Sequence, residues 1–281
     1  MARITKTFVR ETMKNNPALF YEPMPDAWKE LFPVLTVAEL EEMGLHFTVN
    51  HTGKMAGMVS LSTTCKCNAD CQDKIRRAYE SLGIDMENIK DARKAIKKYI
   101  EKNPLATNVS ICGLCFSDKQ QDFQETMRQP LEKNYDILNN GIIHDDWIPV
   151  INALFSRGES FGDFASPFAA VNHFKLAYKN NHVNFTSWSK NLRYFHAAVL
   201  MGYEKPANFK LVYSSQLINV IAKIPEKYTY LVDAVFTVCT KAFAETNNIT
   251  INCGARACLS CLRCYTGYTD GKVKYIFELL K

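Results

Sequence analysis

The chain has 281 residues, 47% hydrophobic and 22% charged, with a formal net charge of +5. That composition excludes a disordered or low-complexity protein and leaves ample material for a buried core. The mild positive charge permits an acidic partner without arguing for one, because an electrostatic footprint requires clustered cations.

Residues 1–44 read as a helical N-terminal segment punctuated by Pro17, Pro23, Pro25 and Pro33. Lys6, Arg10, Glu11 and Lys14 interrupt its apolar residues, so no secretory leader is expected. Nor is there a run of roughly 18 uncharged apolar residues that would span a bilayer. The expected compartment is the cytoplasm, where thiols stay reduced and clustered cysteines are more often metal ligands than disulfides.

Residues 45–252 are expected to form an α/β body. Leu45–Asn50 and Met55–Leu61 flank His51-Thr52-Gly53-Lys54 as a β-hairpin. A helical insertion at 72–104 follows, in which Ile89, Ala92, Ile96, Tyr99 and Ile100 recur at helical spacing. Lys90, Arg93, Lys94, Lys97, Lys98 and Lys102 take the other positions. The simpler reading is a solvated amphipathic helix, and the alternative is a basic face for nucleic acid.

From residue 108 short strands alternate with helices. The expected strands are Val109–Cys112, Val150–Phe155, Val183–Phe185, Phe209–Tyr213, Leu231–Phe236 and Ile249–Asn252. The expected helices are Asp122–Asn139, Pro167–Lys179 and Asn191–Met201, and His144-Asp145-Asp146-Trp147 reads as a surface turn. Such alternation argues for a parallel sheet with helices outside, because parallel neighbours need a crossover. Four of these strands run into polar groups: Glu159 and Asp163, Thr186 and Ser187, Ser214 and Ser215, and Thr237. Any one of them serves equally well as a loop opener or helix cap. Repetition across strands favours a shared site at their carboxyl ends, where parallel sheets place ligands.

Nine of the ten cysteines cluster. Cys67-x3-Cys71 and Cys112-x2-Cys115, with Cys65 beside them, offer paired thiolates to one centre. Residues 253–281 form a Cys-rich tail opening on Cys253-x4-Cys258-x2-Cys261-x2-Cys264, four thiols able to wrap a second centre. Tetrahedral zinc and a [4Fe–4S] cluster both suit such sets, and spacing does not choose between them. Cys239, alone at a strand end, reads as a core residue. Neither a Walker loop, a Gly-x-Gly-x-x-Gly nor a His-x-x-His pattern occurs, which weighs against phosphoryl transfer, hydride transfer and hydrolytic zinc.

The chain resembles the phage gene-product-88-like domain family and, through it, more distantly, the radical S-adenosylmethionine (SAM) enzymes. The likeness rests on Ile111-Cys-Gly-Leu-Cys-Phe-Ser117, Arg157-Gly-Glu-Ser-Phe-Gly-Asp163, Phe185-Thr-Ser-Trp-Ser-Lys190 and the Cys253–Tyr265 segment. It implies a partial (β/α) barrel, one or two iron–sulfur clusters, bound SAM and an electron donor. Gly158-Glu159-Ser160 is similar to the Gly-Gly-Glu-like segment that holds the SAM amine, with Asp163 close behind. Thr186, Lys190 and Ser214 are then candidates for the SAM ribose and carboxylate, and the tail is similar to auxiliary-cluster extensions. The family's compact CxxxCxxC is here divided by about forty residues. One centre therefore requires the insertion to loop out and return. The alternative function is a nucleic-acid-associated protein with structural zinc or iron–sulfur centres. In that reading Tyr99, Trp188 and Tyr265 contact the strand.

Overall fold

The computed structural model describes residues 45–280 except residues 52, 87, 123–124, 255 and 267–271. The expected helical segment 1–44 lies outside the described residues.

One seven-stranded sheet organises the chain, with its strands side by side in sequence order. Strands β1 (Phe47–Val49) and β2 (Val59–Leu61) form the expected antiparallel hairpin. From β2 onward every neighbour is parallel: β3 (Phe155–Gly158), β4 (Asn184–Ser189), β5 (Phe209–Ser214), β6 (Ala234–Cys239) and β7 (Lys274–Leu279). The sheet is open, since β1 and β7 are its two edges. The architecture is thus α/β with an open, mostly parallel sheet.

Eight α-helices accompany it among the described residues: α1 (Ala69–Glu80), α2 (Ile89–Lys102), α3 (Phe116–Gln121), α4 (Glu125–Asn139), α5 (Pro167–Lys179), α6 (Leu192–Leu200), α7 (Lys241–Thr246) and α8 (Cys258–Cys261). Alternation along each strand sends successive side chains to opposite faces. Phe185, Phe209 and Leu211 join Ala170, Phe174 and Phe195 of α5 and α6 in the main core. Their strand neighbours Trp188, Val212, Phe236 and Ile276 form a smaller cluster on the other face, against Cys253 and Cys264 of the tail. A third cluster lies between α1 and α2, around Ile75, Tyr79, Ile96 and Ile100.

Several expected boundaries move. Val109–Cys112 contributes one bridge, Ser110 to Leu217, and then a 3₁₀ turn over Ile111–Leu114, because the Ser110 hydroxyl accepts from the Cys112 amide and bends the chain. The Val150–Phe155 run is an approach loop with Val150 and Leu154 exposed, and the strand begins only at Phe155. An apolar run of that length does not by itself distinguish strand from loop. In the same way β6 starts three residues after Leu231, which sits in the preceding turn. Arg157, Thr186, Ser187 and Thr237 therefore lie within strands and not beyond them. Ile249–Asn252 is no ladder strand. It runs beside β7, with the amides of Asn252 and Cys253 donating to the Phe277 carbonyl, and the last sheet position belongs to residues of the Cys-rich tail.

Candidate functional site

The loops leaving β2, β3, β4 and β5 meet at one edge of the sheet. Glu159, the first residue after β3, has a left-handed φ of +53° and is 3% exposed. Its Oε2 accepts from the Thr63 amide at 3.0 Å and the Thr63 hydroxyl at 2.7 Å, while Oε1 has no partner. Burial pushes this carboxyl up to about 7, against the Thr63 hydrogen bonds and with a smaller push from Asp163. Glycine is required on both sides of it. A Cβ on Gly158 would stand 2.7 Å from His173 Cδ2, and one on Gly162 would stand 2.6 Å from Glu159 Oε2.

Asp163 is already engaged: Oδ1 accepts from the Ser189 hydroxyl at 2.5 Å and the Phe164 amide at 2.9 Å, and Oδ2 from the Lys190 amide at 3.1 Å. It fastens the β3 and β4 loops together. The Lys190 ammonium reaches Ser214 Oγ at 3.5 Å. Burial would lower the pKa of Lys190, but Cys112, Asp163, Cys115 and Cys71 around it together hold it above its ordinary value. The Ser160 amide donates to Ser62 Oγ at 2.8 Å, and its own hydroxyl is unpartnered. Thr186 points to the other face of the sheet, its Oγ1 also unpartnered.

The insertion does return to this edge. Asn68 caps α1 and accepts from the Cys71 amide at 3.2 Å, which places Cys71 in the first turn. The Cys112–Cys115 turn docks between α1 and α2, where the Tyr79 hydroxyl donates to the Gly113 carbonyl at 2.6 Å. Cys71, Cys112 and Cys115 thus share Lys190 as a common neighbour. Burial raises the pKa of Cys71 and Cys112. Cys115 is lowered, chiefly by a hydrogen bond with Cys65, which is itself raised. Cys67 is exposed and faces Arg128, Glu132 and Asp136 of α4.

In the tail, Leu262 takes a left-handed φ of +48° after α8 and turns the chain back toward the sheet. Lys54 Nζ donates to Cys253 Sγ at 3.0 Å and to Glu278 at 2.9 Å. Cys253, Cys258, Cys261 and Cys264 line one cavity of about 380 Å³. Cys239 is buried in the core as expected. All ten cysteines are free thiols. Among the described residues no three His, Cys, Asp or Glu side chains stand close enough together to hold a metal ion.

The features read for nucleic acid fare differently. Arg93 is buried and paired with Asp118 at 2.5 Å and Asp122 at 3.0 Å, so it leaves the basic face of α2. Tyr265 is 3% exposed, edge-on to Phe155. Trp188 lies between Arg157 and Phe236. Among the described residues no helix is long and apolar enough to cross a membrane.

Thr63 and Lys54 are not singled out by the sequence, and Arg157 stands there only as the first residue of the segment that ends at Asp163. Thr63 carries the same strand-end polar signal that marked the others, whereas Lys54 sat in an ordinary hairpin turn. Comparison with protein-family models, curated proteins and solved structures returns no match to this chain.

Proposed function

We propose that the carboxyl edge of the sheet is a cofactor site of the radical-SAM kind, holding an iron–sulfur centre on Cys71, Cys112 and Cys115 and SAM beside it. The observation that carries this reading is Glu159, a buried carboxyl group held on one oxygen and free on the other. Its neighbour Asp163 bonds the amide of Lys190, whose ammonium has Cys71, Cys112 and Cys115 around it.

The donor set fits such a centre in kind but not in spacing: among the described residues no three of these side chains stand close enough to hold a metal ion, so the thiols would have to draw together on it. Thiols are soft ligands that favour iron–sulfur or zinc centres, and three of them leave an iron open to a further ligand. The bound cofactor would supply one-electron cleavage of a C–S bond, with the electron arriving from a donor protein. The chain's own part is positioning. Glu159 Oε1 would accept from the SAM amine, and Thr63 keeps that carboxylate aimed. Lys190 would face the SAM carboxylate and stabilise the thiolates, with Ser214 fixing its Nζ. Asp163 holds the two loops in register. Thr186, on the opposite face, does not share this pocket, and Cys253, Cys258, Cys261 and Cys264 would hold a second centre, of iron–sulfur or zinc.

The test is anaerobic purification followed by iron, zinc and acid-labile sulfide analysis, with visible spectra before and after SAM. Iron and sulfide with a spectral change on SAM, lost in Cys112→Ser and with the SAM response alone lost in Glu159→Gln, support the reading. Zinc alone, or no chromophore after iron reconstitution, sinks it.

A further inference from the structure

The cavity under the tail has a property that its thiols do not explain. Lys54, Arg157, Arg256 and Arg263 all line it, and no Asp or Glu does so among the described lining residues. Lys54 is balanced by Glu278, and Arg256 and Arg263 are solvent-exposed. Arg157 is neither. It is half-buried on β3, touches Met55 Sδ through Nη1 at 3.5 Å, and covers the Trp188 ring at 4.3 Å. Its Nε has no partner, and it makes no ion pair with a carboxylate among the described residues. Two further polar atoms on the same wall, Thr186 Oγ1 and Trp188 Nε1, are buried and unpartnered as well. Register explains the grouping: Arg157 pairs with Thr186 across β3 and β4, and Trp188 follows on the same face.

A half-buried guanidinium whose Nε is shut off from water without a partner or counter-charge is unfavourable, and unpaired donors beside it add to that cost. Together they describe the ligand that would relieve them. We propose that this cavity binds the oxyanion group, phosphate or carboxylate, of a small ligand, with Arg157 as charge partner and Trp188 N–H and the Thr186 hydroxyl as neutral donors. The planar guanidinium fork matches an oxyanion in two-point contact. Both faces of Trp188 are covered, by Arg157 and by Phe236 at 4.1 Å, so the ligand meets its N–H edge and does not stack on it. The site stands on the face of the sheet opposite the main helices and does not depend on SAM binding at the carboxyl edge. The competing partner for Arg157 is the thiolate form of Cys258 and Cys264, whose pKa values it lowers against burial.

Isothermal titration of the full chain with inorganic phosphate and with acetate decides the matter, with iron and zinc measured on every sample. Saturable binding is expected, weakened at least about tenfold in Arg157→Met and several-fold in Trp188→Phe, which keeps the ring and loses only the N–H. Preference for phosphate identifies a phosphate-bearing ligand, and preference for acetate a carboxylate. Absence of saturable binding by either anion overturns the proposal. So does unchanged affinity in both variants, and an Arg157→Met protein that loses tail metal while keeping its anion affinity would show Arg157 to be the counter-ion of the thiolates. None of these results bears on the SAM response, so the two readings fail separately.

Discussion

Glu159 combines a left-handed backbone with a carboxyl group removed from water and bonded on one oxygen only. Strain of this kind persists where neighbouring structure enforces it, and it gathers at functional sites. Its energetic sign is testable. The folded-state pKa is raised from 4.5 to about 7, so the favourable contribution of the protonated form is complete below about 4.5 and is lost as pH rises through 7. In the ligand-free protein the loss is on the order of 3 kcal/mol, at about 1.36 kcal/mol per unit. Denaturant unfolding at a series of pH values should therefore show wild type declining relative to Glu159→Gln between pH 4.5 and 8. A pH-independent difference would mean the carboxylate is compensated within the chain. Gly162→Ala attacks the same residue from its neighbour, since the added Cβ would meet Thr63 Oγ1 at 2.5 Å and Glu159 Oε2 at 2.6 Å. A stability loss of about 1–3 kcal/mol is expected by thermal or chemical unfolding. Glu159 was legible in the sequence from its place after an apolar strand, but Thr63's role was not, because a hydroxyl's partner is set by three-dimensional neighbours.

At the scale of elements, the insertion is the part whose purpose the sequence concealed. Its helical periodicity was plain, and α1 and α2 fill it with Asn68 and Asn88 as caps, although α1 starts at Ala69, ahead of the expected residue 72, and so takes in Cys71. What spacing could not convey is that these helices make a core of their own that brings Cys112 and Cys115 back beside Cys71. Val109–Cys112 looked strand-like because its residues are largely apolar, yet from Ile111 to Leu114 the chain is a turn seated between two helices. Gly113 is the contact point: a Cβ there would press on Ile96 Cδ1 and stand 3.2 Å from Ala78 Cβ. Gly113→Ala should cost about 1–3 kcal/mol and, on the proposed function, reduce metal loading at the first centre while sparing the tail. Metal analysis of Gly113→Ala in backgrounds with either Cys set replaced by Ser would separate the two centres. Equal loss from both would show that the α1–α2 core does not act locally.

For the molecule as a whole, the tail is the element whose place differs most from what its composition implies. Read as a chain of cysteines, 253–281 resembles an appendage wrapped on metal. In the fold its last residues are β7, paired with β6 from Ala234↔Lys274 to Cys239↔Leu279, and Ile276 completes the apolar cluster with Val212 and Phe236. The sequence hid this because Lys274–Leu279 lies far along the chain from the other strands, beyond the cysteines, and mixes charges with apolar residues, as an edge strand does. Tyr265 adds a second attachment through its contacts with Phe155 and Met58. Two kinds of change therefore separate. Ending the chain at residue 252 removes β7 and uncovers Phe236, which is 6% exposed in the intact fold. The truncated protein should unfold at much lower denaturant or fail to accumulate in soluble form. Replacing Cys253, Cys258, Cys261 and Cys264 together with Ser leaves β7 and Tyr265 in place. If sheet pairing is what holds the tail, that variant should keep a single cooperative transition, with its midpoint lowered only by the metal it no longer binds. Collapse of the Ser variant to the level of the truncation would instead make the second centre the main fastening of the sheet's far edge, as in small metal-dependent domains.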